Sequence, residues 1–160
     1  MKQFGQLKNG MGWKRIIIGY LIIQLTSAYT TSEHPSDRIL GTWISSQRNV
    51  IVEIFKEIGT YRGRVLWFDD SDDKSSPMNS RKDRYNPNPA LREQKVIGLV
   101  VLKNLMYNSR YNRWEHGKIY DVQSGKEWDS SVWLTKDGLL KVKGYWHFEL
   151  FGKTMTFKRT

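Results

Sequence analysis

From residue 41 onward, apolar and polar positions alternate in short runs of β-branched and aromatic residues, broken by turn residues. In 60–68, Tyr61, Gly63, Val65 and Trp67 share one face while Arg62 and Arg64 take the other. In 139–145, Leu140, Val142 and Gly144 oppose Lys141 and Lys143, and in 127–135, Trp128, Ser130, Val132 and Leu134 oppose Glu127 and Asp129. A period of two is the signature of a strand with one face buried. The pattern predicts strands at 41–45, 50–56, 60–68, 96–105, 113–121, 127–135, 139–145 and 153–159. Ile58-Gly59, Ser124-Gly125 and Asp137-Gly138 supply the positive-φ positions of tight turns, so neighbouring strands pair antiparallel. The fold class is therefore all-β, and about eight such strands close into an up-and-down barrel without free edges.

Two stretches depart from this rhythm. The 113–121 segment is ambiguous, with Trp114, Lys118 and Tyr120 on one face and Gly117 and Ile119 on the other. The 96–105 segment is apolar on both faces, which calls for a cover on its outside. Before it lies a long connection, residues 69–95, of the kind used as lids and binding loops. Its acidic half, 69–76, offers alternating side-chain oxygens. Lys74 stands where a calcium loop needs Gly and no Glu closes the loop, so a solvated acidic loop is expected. In its second half Asn88 caps and Pro89 opens a short helix over 90–94.

The N-terminal part has another logic. Lys2, Lys8, Lys14 and Arg15 precede the apolar run 16–23 and Leu25, which ends on Thr26-Ser27-Ala28. A basic start, a short apolar middle and a small-residue exit read as a signal peptide, residues 1–28. The run is shorter than the roughly 20 residues of a membrane-spanning helix. Residues 29–160 then form a single barrel domain, periplasmic or secreted, with no stable membrane span after cleavage. Removal of four cations leaves 26 − 4 = 22 Lys and Arg against 16 acids, a charge near +6 instead of +10. That is mild for a nucleic-acid binder, and none is expected as partner. Zero cysteines exclude disulfides, thiolate metal sites and a thiol nucleophile.

Gly41-Thr42-Trp43 followed by a β-meander resembles the opening of lipocalins and related calycin barrels. Further matches are Asn86-Pro87-Asn88-Pro89-Ala90-Leu91-Arg92, Gly98-Leu99, Gly117-Lys118-Ile119-Tyr120-Asp121, Gly125-Lys126, Lys143-Gly144-Tyr145 and Phe151-Gly152-Lys153-Thr154. Together these resemble the bacterial domain of unknown function 2147 family over residues 38–160. The resemblance implies an exported, lipocalin-like barrel. It also implies closure of the barrel by Gly41, Trp43 and Arg159, with the guanidinium lying across the indole and Lys158 as rival partner. Family members often carry a Cys before the third-strand Gly and an acid in the Asn-Pro-x-Pro loop. Here these positions are Arg62 and Asn88.

Chemistry is sparse. His34, His116 and His147 are not spaced as metal ligands, and there is no Gly-x-Ser-x-Gly elbow or phosphate-cradling glycine motif. Arg81-Lys82-Asp83-Arg84 with Tyr85 reads as a solvated loop. No catalytic residue, metal ligand or cofactor is assigned. The expected function is carriage of a small apolar or amphipathic ligand inside the barrel. Its candidate lining is Tyr61, Trp67, Leu99, Tyr120, Trp128 and Val132, with Arg92 meeting an acidic group at the mouth. The alternative is a filled barrel that binds an envelope or protein partner. The signal reading predicts that N-terminal sequencing of the exported protein begins at Tyr29. Recovery of the chain from Met1 in the membrane fraction would make the segment an anchor.

Overall fold

The computed structural model describes residues 34–150 and 152–160; the expected signal segment lies outside the described residues. Eight strands run in chain order: β1 Gly41–Ser45, β2 Val50–Glu57, β3 Thr60–Phe68, β4 Val100–Asn108, β5 Arg113–Asp121, β6 Lys126–Leu134, β7 Leu140–Tyr145 and β8 Gly152–Arg159. Each pairs antiparallel with its sequence neighbours, and β8 returns to β1, closing an up-and-down barrel. Along the closing seam Trp43 faces Arg159, Ile44 faces Lys158 and Ser45 faces Phe157.

Three local features depart from simple alternation. Between Ile51↔Trp67 and Val52↔Val65, Leu66 has no partner on β2, so β3 carries a bulge. A bulge shifts the alternation by one residue. Phe68 therefore turns to the interior and Trp67 to the outside, where it is 36% exposed. Next, β4 begins at Val100 instead of 96. Gly98, at φ +85°, turns the chain, and residues 98 and 99 bond irregularly to Val65. Finally, Asn104 on β4 and His116 on β5 both have positive φ and lie between the same two register pairs, Lys103↔Lys118 and Met106↔Glu115. These matched kinks put Trp114, Gly117 and Ile119 on the inner face, resolving the fifth-strand ambiguity.

The barrel end formed by the start of β1 and the end of β8 is filled. Trp43, Tyr61, Leu105, Trp114, Val132 and Leu140 are all essentially buried there. A 3-10 helix at Pro35–Ile39, which alternation did not predict, plugs this end. Pro35 suits its first turn, and the His34 imidazole accepts the Ser36 N–H. Its carbonyls are taken up by barrel side chains. Trp114 Nε1 donates to Ser36 O at 2.9 Å, and Trp43 Nε1 donates to Ile39 O at 2.8 Å. Arg159 donates to Arg38 O at 2.6 Å and Leu40 O at 2.7 Å, with its guanidinium 4.4 Å from the Trp43 ring centre. Tyr61 Oη donates to Asp37 at 2.5 Å, and Lys56 pairs with the same carboxylate. These two partners hold the Asp37 carboxyl below its ordinary range. Gly41, at φ +113°, leaves room for Arg159, since a Cβ there would lie 2.9 Å from Nη1.

Loss of the buried indole in Trp43→Ala should cost about 3–5 kcal/mol in denaturant unfolding. Arg159→Ala should cost about 2 kcal/mol through two lost charged hydrogen bonds and the cation–π contact. Lys158→Ala should stay within about 0.5 kcal/mol of the parent. A double-mutant cycle should couple Trp43 to Arg159 by about 0.5–2 kcal/mol. Coupling of Trp43 to Lys158 instead would contradict the seam.

Candidate functional site

The opposite half of the barrel is hollow. A cavity of about 850 Å³ opens at the end formed by the β1–β2, β3–β4, β5–β6 and β7–β8 connections. Its wall is mainly apolar: Val50, Val52, Val65, Phe68, Leu102, Ile119, Trp128, Val142, Met155 and Phe157. Gly63 and Gly144 widen it where a side chain would otherwise project. Polar groups collect at the rim, with Asn49, Asp69, Ser71, Asp72, Arg81, Asp121, Gln123 and Lys153. An apolar chamber with polar groups at one end suits an apolar or amphipathic small molecule.

Not all of the sequence-predicted lining reaches this chamber. Trp128 does, and its ring meets Trp146 edge to face at 5.4 Å. Tyr120 borders it from the wall. Tyr61 and Val132 point inward but belong to the filled half, below the cavity. Trp67 is outside because of the β3 bulge. Leu99 precedes β4 and lines a separate outer groove between residues 86–100 and β4–β6. Arg92 is exposed and donates from Nε to Asn86 O at 2.8 Å, so it serves its own loop instead of the mouth. At the rim the guanidinium is Arg81.

Arg81 organises the long connection. It donates to both carboxylate oxygens of Asp72, at 2.8 and 3.1 Å, and to the carbonyls of Ser76 and Asp73. Its guanidinium also lies 5.2 Å from the Phe68 ring centre, over a residue of the cavity wall. The acidic segment is thus wrapped around a cation, although residues 71–75 stay exposed. Among the described residues no cluster of three or more acidic or histidine side chains could hold a metal ion. The expected helix is shorter than 90–94: a 3-10 turn at Pro89–Leu91, capped by Asn88, whose side chain accepts the Ala90 N–H.

The basic stretch also differs from a solvated loop at its centre. Asp83 is fully buried. One carboxylate oxygen accepts Tyr120 Oη at 2.7 Å and the other accepts Asn86 Nδ2 at 2.7 Å. A bridge between Lys82 and Lys95 pinches the loop beside it. The β5–β6 turn presses against the same loop, and a Cβ on Gly125 would lie 1.8 Å from Tyr85 O. Burial, helped by the Asp83 carboxylate, pushes the Tyr120 hydroxyl up to about 12. The signal for Asp83 was faint. It is a lone acid among cations, a position that composition assigns to solvent.

The topology, the single open end and the Trp–Arg closure define a lipocalin-like barrel, a class of fold built around one internal chamber. The chain belongs to the DUF2147 family, described as an uncharacterized protein conserved in bacteria, whose profile matches residues 41–159. Among solved structures, it is similar to a protein described as "Protein HP1028 from the human pathogen Helicobacter pylori belongs to the lipocalin family". The two share 26% identity and a TM-score of 0.63, over 76% of this chain and 82% of that one. No curated protein matches the chain.

Because Tyr120 titrates higher in the folded chain than its ordinary 10.0, its neutral form stabilises the fold. That stability is complete below pH 10 and is lost as pH rises towards about 12. Tyr120→Phe should flatten the loss of stability in this window by on the order of 2 kcal/mol, followed by urea unfolding at successive pH values. At neutral pH, Asp83→Ala should cost about 2–3 kcal/mol, because it strands two buried donors. An unchanged alkaline slope in Tyr120→Phe would show that the hydroxyl is not the group responsible.

Proposed function

We propose that the protein is an exported carrier that holds a small apolar or amphipathic molecule in the open half of its barrel. The observation that carries this reading is the cavity of about 850 Å³, apolar within and polar at its rim. Its size falls in the range of small-molecule sites. A filled barrel needs no glycines facing its lumen at Gly63 and Gly144 and no open mouth. The neighbour described as belonging to the lipocalin family supports a binding role by analogy of fold. Export rests on the basic start and short apolar run of residues 1–28. On this reading the apolar body of the ligand lies along Val52, Val65, Trp128 and Met155, and its polar end meets the rim.

Native mass spectrometry of protein purified from its own cells should show a retained small molecule. Met155→Trp, which projects a larger side chain into the chamber, should remove that mass and weaken an apolar fluorescent probe by at least about tenfold. Val52→Trp, from β2 two strands away, should do the same, so misfolding of one variant leaves the test intact. Protein that arrives without added mass and binds no apolar probe would overturn the carrier reading.

A further inference from the structure

The β7–β8 connection carries the most exposed apolar group at the open end. Trp146 is 58% exposed, Phe148 70% and Leu150 81%. Large apolar residues grouped like this on one loop mark an interaction site. Its intervening acid is already engaged. Glu149 folds back onto the barrel, accepting from Ser131 Oγ at 2.7 Å and pairing with Arg113. The turn is thereby fastened to β5 and β6 through its one carboxylate.

The base of the loop is basic. Lys153 follows it on the cavity rim. Lys143 runs alongside it, with Cε 3.1 Å from the position a Cβ on Gly152 would take. Among the described residues, neither ammonium has a carboxylate within ion-pair distance. Exposed apolar side chains beside cations that form no ion pair match the two layers of a membrane interface, acyl chains beneath anionic headgroups.

The acidic β3–β4 loop lies across the mouth, because four strands of the eight separate the two connections. A negative surface repels that side and attracts the other. From this polarity we infer that the β7–β8 loop docks the barrel on anionic lipid, tilted, with Trp146, Phe148 and Leu150 inserted between headgroups. Trp146 borders the cavity and touches Trp128 inside it, so the docked edge is continuous with the apolar wall. This inference goes beyond the carrier reading and does not need it. An empty barrel could still dock, and a loaded one could fail to.

The absence of cysteine allows a single reporter. Phe148→Cys, labelled with an environment-sensitive fluorophore in the full chain, should brighten at least about threefold and shift to the blue on vesicles of phosphatidylcholine with phosphatidylglycerol. Brominated acyl chains should quench it. The same label at Ile58→Cys, on the exposed β2–β3 turn of the closed end, should not respond. Adding Lys143→Glu and Lys153→Glu should weaken the response about tenfold or more, and phosphatidylcholine alone should give little. A silent label at 148 would overturn the inference, as would equal responses at 148 and 58. Burial of the 148 label in a dimer or on a protein partner, with no quenching by brominated lipid, would overturn it as well. Ligand mass measured on the same variants keeps this outcome separate from that of the carrier.

Discussion

The carbonyl groups of one 3-10 turn set the construction of the barrel. A closed sheet satisfies its own backbone, but a chain crossing its end brings peptide oxygens of its own, here buried at Ser36 and Ile39 and nearer solvent at Arg38 and Leu40. Here each of the oxygens of Ser36, Arg38, Ile39 and Leu40 accepts from a side chain on a strand: Trp114, Arg159, Trp43 and Arg159 in turn. The two indoles are therefore more than bulk. Each has one polar atom, and each delivers it to the plug. Arg159 reaches two oxygens while lying on the Trp43 ring, and it belongs to the strand that must find β1 for the sheet to close. Correct registration of the last strand and satisfaction of the plug are one event.

With that end sealed, the remaining interior follows from side-chain size. Near the plug the inward positions are Trp43, Tyr61, Leu105, Trp114 and Leu140, which fill the cross-section. Towards the other end they become Val52, Val65, Gly63, Gly144 and Met155, which do not. The barrel diameter is fixed by strand number and stagger, so smaller inward residues leave space instead of drawing the walls together. The filled half supplies stability and allows the other half to remain hollow. The packed core and the open chamber thus occupy opposite ends of one sheet.

That division explains what the sequence could and could not disclose. Strand number, order and antiparallel pairing were legible because alternation and turn residues are local signals. The inward faces of β6 and β7 were legible for the same reason. Trp67 was misplaced because a one-residue bulge at Leu66 has no sequence signature, yet it inverts every position beyond it on the strand. Tyr61 and Val132 were correctly assigned to the interior but not to the correct half, since depth along a barrel depends on stagger between strands. Arg92, expected at the mouth, lies exposed on its own loop, and Asp83, expected in solvent, is buried. In a loop of 27 residues, a charge is usually read as solvated, and only tertiary packing decided that Asp83 would be buried under Tyr120 and Arg81 would hold the rim.

The mouth is the place where these local and non-local choices meet. On one side, a long polar segment is restrained by Arg81 and by the buried Asp83, so its acids stand at fixed positions beside the opening. On the other, a short connection exposes Trp146, Phe148 and Leu150 and turns its single acid back towards Arg113. A hydrophobic molecule leaving water for the chamber lowers its free energy at every step that keeps it against apolar surface. The Trp146–Trp128 contact supplies such a surface from the outside of the barrel to its wall. Passage beside the carboxylates of Asp69 and Asp72 would instead press an apolar chain against charged groups whose desolvation is unfavourable. On the carrier reading proposed above, the lower-energy route into the barrel runs over the β7–β8 edge, and the acidic loop is the wall against which an amphipathic ligand turns its polar end.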